Sequence, residues 1–78
     1  RFAVSERVLL ASLLNQGGKY AEAEQALQSI PAADVAKSVS LRWALSYYRA
    51  HAFSGQNRRA EAEANWREAW AAAAALPG

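Results

Sequence analysis

Few residues of this 78-residue chain are of the types that perform nucleophilic, acid-base or metal chemistry. His51 is the only histidine, cysteine is absent, and the one aspartate, Asp34, lies far from His51 along the sequence. A catalytic triad, a Cys-His pair and a zinc site of the usual composition therefore all lack members. We interpret His51 as a partly buried helix residue, and we predict no catalytic residue, no metal ion and no cofactor, and hence no enzymatic activity.

Two acidic pairs and one glycine-rich segment are further candidates for chemistry. Glu22 and Glu24, like Glu61 and Glu63, come early in helical segments, where carboxylates are stabilised by the helix dipole. Dipole and solubility therefore account for them. Gly17-Gly18-Lys19 opens a helix as phosphate-binding loops do, but no strand precedes it and the Gly-x-x-x-x-Gly-Lys-Ser/Thr spacing is missing. Neither pattern predicts a site.

Length and composition favour one small domain over 1–78, which we expect to be a piece of a longer protein. The net charge of +2 comes from scattered residues, which disfavours nucleic acid as a partner. The longest apolar runs are shorter than the roughly 20 residues that span a bilayer. Alanine, at about a quarter of the chain, and the excess of arginine over lysine suggest a bacterial source. Bacterial cytoplasm and periplasm both remain compatible.

Apolar periodicity and helix breakers predict an all-α fold without strands. The predicted helices cover about 3–16, 19 or 20 to 29, 35–54 and 58–76. Gly17-Gly18 is expected to end the first, Pro31 to stop the second, Asp34 to cap the third and Gly55 to end it. The helices form two consecutive antiparallel hairpins, at about 3–30 and 34–76.

The helix faces predict how the hairpins pack. The first helix is apolar nearly all round, so it should be covered on more than one side, and the third should pack on both flanks. The fourth carries one narrow apolar stripe, made of Ala62, Trp66, Ala69, Trp70, Ala73 and Leu76. Leu27 and Trp66 are expected to be equivalent anchors. We assign a core role to the aromatic residues at helical spacing, Trp43, Tyr47, Tyr48, Trp66 and Trp70.

One pattern of residues occurs in both hairpins. The first has Leu10-Ala11, Gly18, Tyr20, Ala23 and Leu27, and the second has Gly55, Ala62, Trp66 and Ala69. This pattern resembles the tetratricopeptide repeat, a helical hairpin of about 34 residues that stacks into a solenoid. The chain departs from it in a longer second turn, in an early Pro31 and in Tyr48, which stands where the family has a small residue. The resemblance implies a right-handed stack of two hairpins.

The resemblance also implies a non-catalytic protein-protein interaction module, acting as a scaffold, chaperone or assembly factor. In such stacks the first helices of successive units line a concave groove. The residues at the matching positions, predicted to bind the partner, are Ser5, Val8, Ser12, Asn15, Gln16, Arg42, Ser46, Arg49 and Phe53. Because Arg42 and Arg49 make one wall cationic, we expect a protein or peptide partner with an acidic segment and a neighbouring apolar residue. The two-asparagine, multi-lysine carboxylate clamp of some family members is missing.

Two alternative functions and the placement of Phe53 remain open at this point. The chain could be a self-associating four-helix adaptor that dimerises through Trp66 and Trp70. It could bind nucleic acid weakly through its arginines, a less favoured interpretation. Phe53 lies in the arginine sector of its helix, so it either packs under the second turn or contacts a partner directly.

Overall fold

The computed structural model of the protein describes residues 4–75, and within that range every regular element is a helix. The helices are α1 Val4–Gln16, α2 Tyr20–Gln28, α3 Ala32–Ala36, α4 Val39–Gly55 and α5 Arg59–Ala74. The prediction of an all-helical chain is therefore confirmed for this range. The side chain of Ser5, and Leu76 of the predicted stripe, lie outside what the structure describes.

The prediction of one continuous helix from 35 to 54 is wrong at its start. Asp34 lies inside the short α3, and the chain becomes extended again at Ser38, where φ is −138° and ψ is 119°. The Ser38 hydroxyl oxygen accepts a hydrogen bond of 3.1 Å from the backbone N–H of Leu41. Serine is among the strongest N-caps, so Ser38 starts α4. The chain thus has five described helices where four were predicted.

The two turns use different residues to reverse the chain. Gly18 has φ of +79°, and the Lys19 N–H then donates to the Leu14 carbonyl, which confirms that glycine ends α1. In the second turn the left-handed residue is Asn57, with φ of 61°, and the Arg58 N–H donates to the Phe53 carbonyl. Asparagine tolerates this conformation better than most residues. As expected, α4 ends at Gly55, but the left-handed residue of the turn is Asn57 and not the glycine.

Gly55 is required for a close approach between helices. A Cβ atom at this position would lie only 2.5 Å from Cδ1 and Cδ2 of the Tyr20 ring. Real Cβ atoms do not come so near to ring carbons. The start of α2 can therefore rest on the end of α4 only because residue 55 has no side chain.

Helix α4 is the centre of the fold, because α1, α2, α3 and α5 all contact it. The predicted packing on both of its flanks is confirmed. On one side lies the main apolar core, whose buried members are Ala11, Ala23, Leu27, Ile30 and Ala52. On the other side α5 contacts α4 alone among the described helices, so its buried Ala62 and Ala69 face α4. Alanines at these positions let the two helix backbones approach closely.

The predicted apolar stripe of α5 is correct at Ala62 and Ala69 and wrong further along. Trp70 is 78% exposed and Ala73 is also exposed, whereas Trp66 is half-buried. Position 70 lies about 100° around the helix from position 69, so its ring is directed away from the α4 contact. Large apolar side chains are exposed on α1 as well. This helix contacts α2 and α4 but leaves three leucines at the surface: Leu9, Leu10 and Leu13.

We expect Gly55→Ala to destabilise the fold by about 1–3 kcal/mol, because the added methyl group would displace the Tyr20 ring. Urea unfolding followed by circular dichroism measures the change. Gly17→Ala is the matched control, since a Cβ there meets its nearest backbone atoms at 3.6 Å, an ordinary contact. Equal stability of Gly55→Ala and the parent would show that the two helices are not this close.

Leu27 and Trp66 should differ as anchors, because Leu27 is 1% exposed and Trp66 only half-buried. Leu27→Ala should cost about 2–5 kcal/mol, which a domain of this size can hardly tolerate. Trp66→Ala should cost less, about 1–2 kcal/mol, since part of its ring is already in water. Thermal unfolding of both variants tests the order, and a larger loss for Trp66→Ala would reverse our assignment of the core.

Candidate interaction surfaces

The polar residues of α1 line a concavity against α4. Ser12, Asn15 and Gln16 lie there together with Tyr47 and His51, around a volume of about 430 Å³. Asn15 joins the two helices, because its Nδ2 donates to the Tyr48 carbonyl at 3.2 Å. Its Oδ1 is buried and has no hydrogen-bond partner among the described residues. Val8, also predicted for this groove, packs on the apolar core instead.

The predicted cationic wall lies on another side of α4. Arg42, Ser46 and Arg49 line a cleft between α3 and α5, not the concavity beside α1. At about 100° per residue, His51 lies about 180° around the helix from Arg42. The two predicted strips therefore do not face one common groove, because the strip of α1 and the arginines of α4 line concavities on different sides of α4. That either strip binds a partner stays a prediction.

Phe53 is enclosed at the end of α4. It is 3% exposed, and the guanidinium of Arg58 stands 4.6 Å from the centre of its ring. The Arg49 guanidinium lies 5.8 Å from the same centre. Both distances suit cation-π attraction. Of the two interpretations left open by the sequence, packing beside the second turn is the one this geometry fits.

The cleft beside Arg42 and Arg49 is the most distinctive polar feature. It has a volume of about 420 Å³ and adjoins a second cleft of about 690 Å³ that shares both arginines. Arg42 is exposed, Arg49 is half-buried, and neither forms an ion pair within residues 4–75. Arg49 Nε is buried and finds no acceptor in that range. Ser46 lies between the two arginines along α4, and its hydroxyl group is 3.5 Å from a carboxylate oxygen of Glu68.

Arg58, by contrast, is paired with carboxylates within the fold. Its Nη1 donates to Glu24 Oε1 at 3.0 Å, and its Nε donates to Glu61 at 2.8 Å. Glu24 also accepts from Gln56 at 3.1 Å and from Gln28 at 2.9 Å. This Glu24 network ties α2 to the second turn, so Glu24 does more than complement a helix dipole. Sequence reasoning missed it because two of the partners of Glu24, Gln56 and Arg58, are more than 30 positions away.

The pairing of Arg58 with Glu61 shifts the pKa of both side chains. Hydrogen bonding from Arg58 lowers the pKa of the Glu61 carboxyl, and hydrogen bonding to Glu61 raises the pKa of Arg58. A carboxyl whose pKa is lowered in the folded chain contributes stability above its unfolded pKa. That contribution is lost as the pH falls through the lowered pKa. The pair therefore stabilises the second turn at neutral pH and not in strong acid.

An aromatic cluster covers the outer side of α4 and α5. Trp43 stacks on Tyr47 with ring centres 5.1 Å apart, and Trp66 meets Tyr47 edge-on at 5.4 Å. His51 is exposed, not partly buried as predicted, and lies 5.0 Å from Trp66. The core role predicted for these rings is thus only partly correct, because they pack on one another while keeping contact with solvent. Trp70 adds a largely exposed ring next to them.

No group of three or more His, Cys, Asp or Glu side chains is placed to hold a metal ion within the described range. None of the described helices combines the length and the hydropathy needed to cross a bilayer.

Comparison with protein-family models, with curated proteins and with solved structures finds no match to this chain. The resemblance to the tetratricopeptide repeat therefore depends on the residues of this chain alone. Membership of that family stays a prediction.

We expect Glu24→Gln to destabilise the fold by about 1 kcal/mol, because it removes a charge and an acceptor from the Glu24 network. The half-exposed position of Arg58 keeps this value modest. Glu22→Gln, an exposed neighbour on the same helix, should change stability by less than about 0.5 kcal/mol. Urea unfolding of both variants provides the measurement. If the two variants unfold at the same urea concentration, Glu24 does not connect the hairpins energetically.

Proposed function

We propose that this chain is a non-catalytic protein-protein interaction module, made of two tetratricopeptide-like hairpins that act within a scaffold, chaperone or assembly factor. The observation that carries the proposal is the exposure of large apolar side chains on α1. Leu9 is 60% exposed, Leu13 is 56% exposed and Leu10 is 44% exposed. Single exposed leucines need no explanation, but three on one helix face form a patch of the kind that other polypeptides cover.

The order of helix contacts supports a stack of hairpins. Helix α1 packs on α2, α4 packs on both, and α5 packs on α4, while α1 and α5 do not touch in the described range. The leucine face of α1 and the aromatic face of α5 are therefore separated by α4. Repeat units bury such faces on neighbouring units, and about three units are normally needed for independent stability. Two hairpins leave both outer faces open.

Self-association through α5 is the second candidate. It is favoured by Trp70, which is 78% exposed and shares a shallow surface with Trp66 and Arg67. Tryptophan and arginine are both enriched at the energetic centres of interfaces. In this alternative the chain is an adaptor whose own copy covers the tryptophans, and the α1 leucines are secondary.

We expect the parent chain to associate at about 100 µM or to be only marginally stable, because its apolar faces lack neighbours. The double variant Leu9→Glu/Leu13→Glu should lower the assembled mass measured by light scattering without loss of helical circular dichroism. Gln25→Glu, at an exposed site on α2, is the control that adds charge elsewhere.

The same measurement separates the two candidates. If Trp70→Glu abolishes assembly and the leucine variant does not, the adaptor alternative is supported. A parent that is strictly monomeric and melts above about 90 °C would contradict both, since neither open face would need a partner.

A further inference from the structure

The arginine cleft brings two cations together beside apolar walls, and neither cation forms an ion pair within residues 4–75. Its floor is α4, with Arg42 and Arg49 as the charged residues. The apolar side chains that line it are Val35, Leu45, Ala71, Ala72 and Ala75, and Leu27 lines the adjoining cleft. Its volume of about 420 Å³ lies within the range typical of ligand sites, as does that of the concavity beside α1. The charge of the cleft is therefore the feature that needs explanation.

The two arginines have no carboxylate partner among the described residues, although Arg49 also lies near the Phe53 ring. Arg58 shows how this fold pairs an arginine, since two carboxylates accept its hydrogen bonds. Arg42 and Arg49 have no such acceptor within residues 4–75, and Arg49 Nε is buried without a partner. The cleft's one carboxylate, Glu68, forms no ion pair with either arginine and lies beside Ser46 instead. The cleft keeps an excess of positive charge that an anionic ligand would neutralise.

From these observations we infer that the cleft between α3 and α5 binds an acidic peptide segment, in which a glutamate or aspartate side chain is followed by an apolar residue. This inference rests on the proposed interaction function and names its partner class. The carboxylate pairs with the Arg42 and Arg49 guanidinium groups, whose planar donors suit bidentate contacts. The apolar residue occupies the wall of alanines from α5 or the pocket of Leu27, Val35 and Leu45.

The position of the cleft separates this site from the groove predicted by the sequence. Ser12, Asn15 and Gln16 of α1 line a concavity on another side of α4 and contribute nothing to the cleft. Helix α3, which sequence analysis did not predict, supplies one wall through Val35. The partner therefore contacts α3, α4 and α5, and variants on α1 should leave it bound.

Fluorescence anisotropy with labelled hexapeptides tests the inference on the full chain. The peptides are acetylated and amidated, with one glutamate followed by Leu, Ile, Val or Phe. Each has a matched peptide with glutamine in place of glutamate. We expect at least one glutamate peptide to bind below about 1 mM and its glutamine counterpart to bind about tenfold more weakly. A third set, glutamine peptides with a free terminal carboxylate, should bind no better than the capped glutamine set.

Two matched double variants locate the site. Arg42→Gln/Arg49→Gln should weaken binding by about tenfold or more, whereas Lys19→Gln/Arg59→Gln, with the same loss of charge at exposed sites outside the cleft, should change it less than about twofold. Because Arg49 also packs near Phe53, Ala71→Glu provides an independent test: it places a negative charge at an exposed cleft wall without removing a contact. Circular dichroism confirms that each variant remains folded.

Several results would overturn the inference. They are the absence of binding by all glutamate peptides, equal binding of the glutamine peptides, stronger capture of the free terminal carboxylate, and equal weakening by the two double variants. If any of these occurs while the Leu9→Glu/Leu13→Glu variant still lowers assembly, the cleft assignment fails and the interaction function stands. If the parent is also a very stable monomer, both fail.

Discussion

The contact between the Tyr20 ring and the backbone of Gly55 governs how closely α2 lies on α4. A ring can sit on a helix at this distance only where a residue has no Cβ, so the start of α2 is restricted to one place on α4. Glu24, one turn further along α2, then comes within hydrogen-bonding distance of Gln56 and Arg58. The apolar contact allows the close spacing of α2 and α4, and the polar network links the same part of α2 to the second turn.

Small residues allow α4 to pack against α1 and α2 on one side and against α5 on the other. Ala52 is buried against the α1-α2 core, while Ala50 is buried in the same helix and Ala62 and Ala69 of α5 face α4. The buried positions of α5 are filled by alanine, and the rings of Trp43 and Trp66 pack on Tyr47 with part of their surface in solvent. The aromatic surface thus lies on the outside of the molecule, with alanine packing inside it.

The arginines of this region are of two kinds, those that are paired with carboxylates within the fold and those that are not. Arg58 is neutralised by Glu24 and Glu61 and lies over the Phe53 ring, so it belongs to the second turn. Arg42 and Arg49 project from the same helix sector as Phe53 but find no carboxylate partner in the described range. A cation that a fold does not neutralise, beside apolar walls, is where electrostatic complementarity to a partner can add specificity.

The sequence by itself determined the helical class, the left-handed turn at Gly18 and the central position of α4. These features depend on local periodicity and on breakers, which are readable within about ten residues. Tertiary structure decided that Ser38 divides the third predicted helix, that Gly55 also serves packing against Tyr20, and that Trp70 lies outside. It also placed the α1 polar strip and the α4 arginines on different sides. Periodicity shows which residues share a helix face. Which face is buried depends on the distance between helix axes. Here that distance is set by contacts such as Tyr20-Gly55, between residues far apart in the chain.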